Sequence, residues 1–226
     1  MSGIRLWRGD ICDLEADAIV VPATPSLWMT NGVAAAVKQR GGHGIEFEAV
    51  RRAPAPLGSA IATAAGALRC RHVIHVVSLT AERRTSAAGI EAATRAALEL
   101  ADQLSDRVVA VPSLGSPLGG VPLAECARIM VTTLHDTLSS CRAVDEVVIA
   151  LRSGPSYDAF LAALHGSRSF RADPVEPGAQ APLAGVMDLS AADEIDAEHT
   201  AGPRGPADAG AGDPTGRWRW HAEGVR

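Results

Sequence analysis

The segment from Arg107 to Pro122 reads RVVAVPSLGSPLGGVP, and it contains a strand, a glycine-rich loop and the start of a helix. The valine-rich run predicts a strand at Arg107–Val111 that is buried on both faces. Pro122 is suited to the first turn of a helix, which we expect over Pro122–Ser139. The apolar positions of that helix recur at helical spacing: Leu123, Ala127, Met130, Val131 and Leu134. This strand–loop–helix unit is typical of α/β folds.

The same alternation extends from residue 4 to about residue 165. Further strands are predicted at Ile4–Trp7, Ala18–Val21, Ser59–Thr63, His72–Val77 and Glu146–Leu151. Further helices are predicted at Val33–Gln39, Ile45–Arg52, Ala87–Gln103 and Ser156–Leu164. Strands that alternate with helices predict a three-layer α/β/α sandwich with a mixed, largely parallel sheet.

The composition changes at Ser167, which divides the chain into two parts. Residues 1–166 carry the periodic pattern and are expected to form one domain. Residues 167–226 are rich in Ala, Gly and Pro and cannot bury enough apolar area to fold, so we expect a mostly disordered tail. Within that tail, a short helix is possible at 188–198, and Arg217–Trp220 forms an aromatic and basic island whose role stays open.

The composition also excludes several classes of function. The chain has 226 residues, a net charge of −5 and a single lysine, Lys38, so it has no Walker-type phosphate loop. An acidic balance disfavours direct nucleic-acid binding, and no apolar run is long enough to span a bilayer. Four scattered cysteines and no metal-ligand spacing predict a cytoplasmic protein with no metal and no cofactor.

Two loops between a strand and a helix are candidates for ligand binding. Residues 29–33 (MTNGV) and 112–122 (PSLGSPLGGVP) each place glycine close to a helix start. Ligands in open α/β sheets bind beyond the carboxyl ends of the strands, and a helix N-terminus there attracts anions. Two such loops facing each other would bind a diphosphate from both sides without a lysine. Asp10, after the first strand, could accept from an exocyclic amine or could cap a turn.

These motifs, in this order, resemble the macro domain family. The resemblance rests on the segments Gly9–Ile11 (GDI), Asp17–Thr24 (DAIVVPAT), Leu27–Ala34 (LWMTNGVA), Gly58–Ala60 (GSA), Thr63–Gly66 (TAAG), Val73–His75 (VIH) and Leu114–Gly120 (LGSPLGG). It covers residues 4–165 and is nearest to stand-alone bacterial macro domains.

The resemblance implies a pocket for ADP-ribose, free or attached to a macromolecule. In that family the position of Asp10 receives the adenine amino group, and the N–H of the next residue, Ile11, contacts a ring nitrogen. The adenine-stacking position falls near Arg152. Two loops wrap the diphosphate and distal ribose. The first corresponds to Asn31, Gly32, Val33 and Ala34, and the second to Gly115, Ser116, Pro117, Leu118, Gly119, Gly120 and Val121.

Departures from the family pattern favour binding over catalysis. The two Asn positions of many hydrolases are Val21 and Thr24 here, so Thr24 would meet the distal ribose, and a frequent Asp is Ala34. A lysine nucleophile is known in the family, but Lys38 lies one turn beyond Ala34 and is expected to face away. The alternative is an ADP-ribosyl hydrolase or O-acetyl-ADP-ribose deacetylase in which the substrate's diphosphate orients the water. A third possibility is a pocket that has changed its ligand or lost it.

Other ionisable residues are given structural roles by this interpretation. His75 is expected to be a satisfied core histidine and Cys126 an inert thiol. Glu46 is expected on a solvated helix face.

Overall fold

A computed structural model describes residues 3–115 and 120–166 of the chain. Its strands are β1 (Gly3–Arg8), β2 (Ala18–Ala23), β3 (Ala60–Ala64), β4 (His72–Val77), β5 (Val108–Pro112) and β6 (Glu146–Leu151). Its helices are α1 (Gly32–Gly41), α2 (Gly44–Val50), α3 (Ala87–Gln103), α4 (Leu123–Leu138) and α5 (Gly154–Gly166), with a 3-10 turn at Ile11–Asp13. The expectations for Ser116, Pro117, Leu118, Gly119 and residues 167–226 lie outside the described residues.

The six strands form one sheet in the order β1-β6-β5-β2-β4-β3. Every neighbouring pair is parallel except β3 with β4, which is antiparallel. The predicted mixed, largely parallel sheet is therefore confirmed, and every strand and helix predicted between residues 4 and 165 is present.

Alternate residues of each strand face two different helical layers. On β2, Ala18 and Val20 join the cluster formed with α3, α4 and α5, whereas Ile19 and Val21 join the cluster formed with α1 and the 3-10 turn. All four are completely buried. Because both faces of the strand are covered, its sequence is an unbroken apolar run, as in other parallel sheets.

The amino ends of the strands carry a network of paired charges. Asp17 Oδ2 accepts from the N–H of Arg107 at 2.7 Å and of Val108 at 2.9 Å. Burial raises the pKa of Asp17, but these two hydrogen bonds and the charges of Arg71 and Arg107 together leave the pKa below its usual value. Arg71 pairs with Asp106 at 2.9 Å. The acidic and basic side chains at this edge of the sheet therefore neutralise one another's charge.

No helix among the described residues is long and apolar enough to cross a membrane.

Candidate functional site

The carboxyl ends of the five parallel strands meet at one edge of the sheet, opposite the paired charges. The loops that leave this edge begin at Gly9 after β1, Thr24 after β2, Ser78 after β4, Ser113 after β5 and Arg152 after β6. Ligands of open α/β sheets bind at this edge. The topology therefore brings together Asp10, both glycine loops and Arg152, which lie far apart in sequence.

Asp10 caps the 3-10 turn that follows β1. Its Oδ1 accepts from the N–H of Cys12 at 3.0 Å, so the turn-capping interpretation is confirmed. Burial, and next the charge of Asp10, raise the pKa of the Cys12 thiol to about 12. Ile11 is buried beneath the turn. The cap holds the Asp10 carboxylate, itself half-buried, at the end of β1.

The first loop is anchored by two buried side chains on either side of an exposed tryptophan. Leu27 and Met29 are at most 1% exposed, whereas Trp28 between them is 56% exposed. Leu27 adopts a positive φ of 60°, and its N–H donates to Thr24 O at 2.9 Å. The Thr24 hydroxyl lies 3.0 Å from the Ser26 hydroxyl. The loop is therefore a closed turn that presents Thr24 and Trp28 at the carboxyl edge.

An ion pair supports this loop from behind, and the sequence interpretation of Glu46 was wrong on this point. Glu46 is only 8% exposed, because its carboxylate turns inward from α2. Its Oε2 accepts from Lys38 Nζ at 2.5 Å and from Met29 N–H at 3.3 Å. Lys38 therefore lies on the side of α1 that faces α2. The pair fixes Met29, and through it the loop.

The start of α1 leaves backbone N–H groups without a side-chain cap. Asn31 precedes the helix in extended backbone and makes no capping hydrogen bond, and the N–H of Ala35 is the first to bond back to Asn31 O. The N–H groups of Gly32, Val33 and Ala34 come before it, at the positive end of the helix dipole. Gly32 has φ of +58°, a conformation in which any Cβ is strained.

The described ends of the second loop are fixed by contacts with α4 and with the loop after β4. A Cβ on Gly115 would lie 2.5 Å from Cys126 Sγ, so this position requires glycine. Burial raises the pKa of the Cys126 thiol, which fits the inert role predicted for it. Gly120 has φ of +94°, and a Cβ there would lie 3.2 Å from Arg84 Nη2. Val121 packs partly buried against the α3–α4–α5 cluster.

Arg152 is exposed at the end of β6, beside the last residues of β1. It therefore lies on the same side of the site as Asp10. The sequence interpretation missed Arg84, because nothing in the pattern around it indicates that the loop after β4 returns to the second glycine loop. The inward contact of Glu46 was also missed, since the exposed Phe47 and the charged Glu48 beside it suggest a solvated face.

Comparison with known proteins agrees with this architecture. A macro domain-containing protein of Streptomyces coelicolor is 37% identical over 171 residues, which cover 73% of this chain and 99% of the relative. The family model described as Macro domain matches residues 20–130. The chain belongs to the macro domain family.

The chain is also similar to part of a longer mycobacterial protein and to a solved macrodomain structure. A Mycobacterium tuberculosis protein without an assigned function is 35% identical over 164 residues, but this chain spans only 45% of its length. The crystal structure of a Trypanosoma brucei macrodomain in complex with ADP-ribose superimposes with a TM-score of 0.64 at 24% identity. That match covers 70% of this chain and 67% of the trypanosomal one.

Proposed function

We propose that this macro domain binds ADP-ribose, either free or attached to a macromolecule, at the carboxyl edge of its sheet. The observation that carries the proposal is the start of α1, where three backbone N–H groups lack a side-chain cap beside a glycine of positive φ. The trypanosomal macrodomain that shares the fold was solved with ADP-ribose bound, which supports the choice of ligand.

The diphosphate is assigned to the two glycine loops. The N–H groups of Gly32, Val33 and Ala34 supply donors and the positive end of the α1 dipole from one side. The second glycine loop, from Gly115 to Val121, is proposed to supply further backbone donors. This mode of binding uses main-chain groups, which suits a chain whose single lysine already pairs with Glu46.

The adenine is assigned to the β1 and β6 end of the site. The Asp10 carboxylate can accept from the exocyclic amine in addition to the Cys12 N–H, because an ionised carboxylate accepts several hydrogen bonds. The N–H of Ile11 reaches a ring nitrogen in this arrangement, and the Arg152 guanidinium stacks on the base.

The distal ribose is assigned to Thr24 and Val121. Thr24 offers one hydroxyl, which already lies at hydrogen-bond distance from Ser26, and Val121 offers an apolar surface. These are fewer polar contacts than two asparagines would provide.

Binding is favoured over catalysis by the residues around this sugar. The first turn of α1 carries no ionisable side chain, and Lys38 is held by Glu46 at 2.5 Å. General-base catalysis requires a titratable group within hydrogen-bond reach of the water. Hydrolysis or deacetylation could then proceed only by the ligand's own diphosphate orienting the water. Release of ADP-ribose from modified protein at a rate above background would establish that alternative.

Two aspartates of the same turn provide a matched test of the binding mode. Asp10→Ala should weaken ADP-ribose binding by about 1–3 kcal/mol, the cost of removing a charged hydrogen-bond partner. Asp13→Ala removes an equal charge from the same turn, where Asp13 pairs with Arg40 at the surface, and should leave the affinity unchanged. Calorimetric titration of both variants measures this difference. Equal affinities would rule out the adenine assignment.

A further inference from the structure

Arg84 is one of the arginines that have no carboxylate partner among the described residues. The arginines that do pair with a carboxylate are Arg5, Arg40, Arg52, Arg69, Arg71, Arg95 and Arg107. None of them lies in a loop that leaves the carboxyl edge of the sheet. Arg84 lies in such a loop, after β4, and its side chain is exposed.

The backbone around Arg84 is held in a tight turn. Thr80 N–H donates to Arg84 O at 2.8 Å, and Arg84 N–H donates to Thr80 Oγ1 at 3.3 Å. The nearest carboxylate in sequence, Glu82, is engaged elsewhere: its own backbone amide and the Thr80 side chain bond to it and lower its pKa. The position of the Arg84 backbone is therefore fixed, while its charge is left without a counterion in the described part of the chain.

The guanidinium of Arg84 is directed to the second glycine loop. Its Nη2 would lie 3.2 Å from a Cβ on Gly120, closer than side chains usually approach, and Gly120 adopts a φ of +94° that favours glycine. The arginine thus covers the end of the loop that carries the proposed backbone donors to the diphosphate. A guanidinium presents a planar set of donors that matches two phosphate oxygens.

We infer that Arg84 contacts the diphosphate of the bound nucleotide and supplies the cationic side chain of this phosphate site. The inference rests on the proposed function, and it adds a side-chain contact to a site otherwise built from backbone donors. Arg84 precedes α3 and approaches Gly120, which precedes α4, whereas the first loop precedes α1.

The adjacent Arg83 provides a matched control. It carries the same charge, is exposed in the same turn, and makes no contact with Gly120. Arg84→Gln should weaken ADP-ribose and ADP about 10-fold or more, as expected for loss of a charged hydrogen bond. Binding of adenosine, which lacks phosphate, should not change. Arg84→Lys should restore part of the loss, and Arg83→Gln should leave all three affinities within about 2-fold, as for a surface residue outside the contact.

The salt dependence of binding gives a second measurement. Since each phosphate contact by a cationic side chain makes affinity fall with salt, Arg84→Gln should flatten the dependence of the ADP-ribose Kd on NaCl, and Arg83→Gln should not. If wild-type protein binds ADP-ribose and the two glutamine variants behave alike, the inference about Arg84 is overturned while the proposed function stands. If wild-type protein does not bind ADP-ribose, both are overturned.

Discussion

At the scale of single residues, His75 shows how a buried polar side chain affects stability. It is completely buried in β4, with Nε2 3.1 Å from the Thr63 hydroxyl and no hydrogen-bond partner for Nδ1 among the described residues. Burial, and next the charge of Arg52, lower its pKa to about 4. The residue is therefore a core histidine, as the sequence suggested, but only one of its two ring nitrogens is satisfied.

We predict that this histidine makes the domain acid-sensitive. Well above pH 6.5 it is neutral in the folded and unfolded chain alike, and its contribution to stability is fully present. As the pH falls towards 4, the unfolded chain takes up the proton first, so the free energy of unfolding falls. The loss between pH 7.5 and pH 5 should be about 2 kcal/mol. Urea unfolding at the two pH values measures it.

Two histidine variants separate this effect from other titrating groups. His75→Val removes the buried ring, so the difference between pH 7.5 and pH 5 should shrink by most of that amount. His43→Gln changes an exposed histidine at the start of α2 and should leave the difference as it is in wild-type protein. An unchanged pH dependence in His75→Val would contradict the assignment.

The roles of single residues were harder to predict from the sequence than the strands and helices were. The capping role of Asp10 could be stated as one of two options, because an aspartate after a strand suits either role. The burial of Glu46 could not be foreseen, since its inward direction depends on Lys38 and Met29, which approach it from α1 and the first loop. The residues next to Glu46 in sequence carry no sign of such a contact.

At the scale of elements, α1 begins at a glycine, Gly32, that has free space around it. Gly32 has no atom within 4 Å of an added Cβ, so only its φ of +58° opposes a side chain. We predict that Gly32→Ala lowers the free energy of unfolding by about 1–2 kcal/mol. ADP-ribose should also bind more weakly, because relief of the strain moves the N–H groups that follow. Urea unfolding and calorimetry measure the two effects.

Gly44, at the start of α2, is the matched control for Gly32. An added Cβ there also meets nothing within 4 Å, but its φ is not positive. Gly44→Ala should therefore leave stability unchanged or raise it by up to about 1 kcal/mol, since alanine favours helix over glycine. If the two variants were equally stable, backbone strain at Gly32 would not be the reason for glycine there.

Most elements could be predicted because each has a clear period. The valine-rich strands have continuous apolar runs, and α3 begins and ends at the predicted residues, Ala87 and Gln103. The 3-10 turn at Ile11–Asp13 was missed, since three residues are too few to show any period. It is nonetheless the element that holds Asp10.

At the scale of the whole molecule, the order of the strands determines where the site lies. Alternating strands and helices predict a mostly parallel sheet, but they do not specify that β1 lies at one edge or that β5 lies between β6 and β2. That order places the loops after β2 and β5 side by side, whereas the sequence pattern alone could only pose two facing loops as a condition for binding a diphosphate. Paired charges lie at the amino edge of the sheet, and Arg84 lies at the carboxyl edge. This separation could not be predicted from the sequence, because it depends on how the chain folds.

The most direct test of the central claim is a calorimetric titration of the full chain with ADP-ribose, with ADP and AMP as comparisons. We predict saturable binding of ADP-ribose at one site per chain, clearly tighter than binding of AMP, because AMP lacks the second phosphate and distal ribose that both loops are proposed to contact. Absence of heat and of any thermal stabilisation, or equal affinity for AMP and ADP-ribose, would contradict the account.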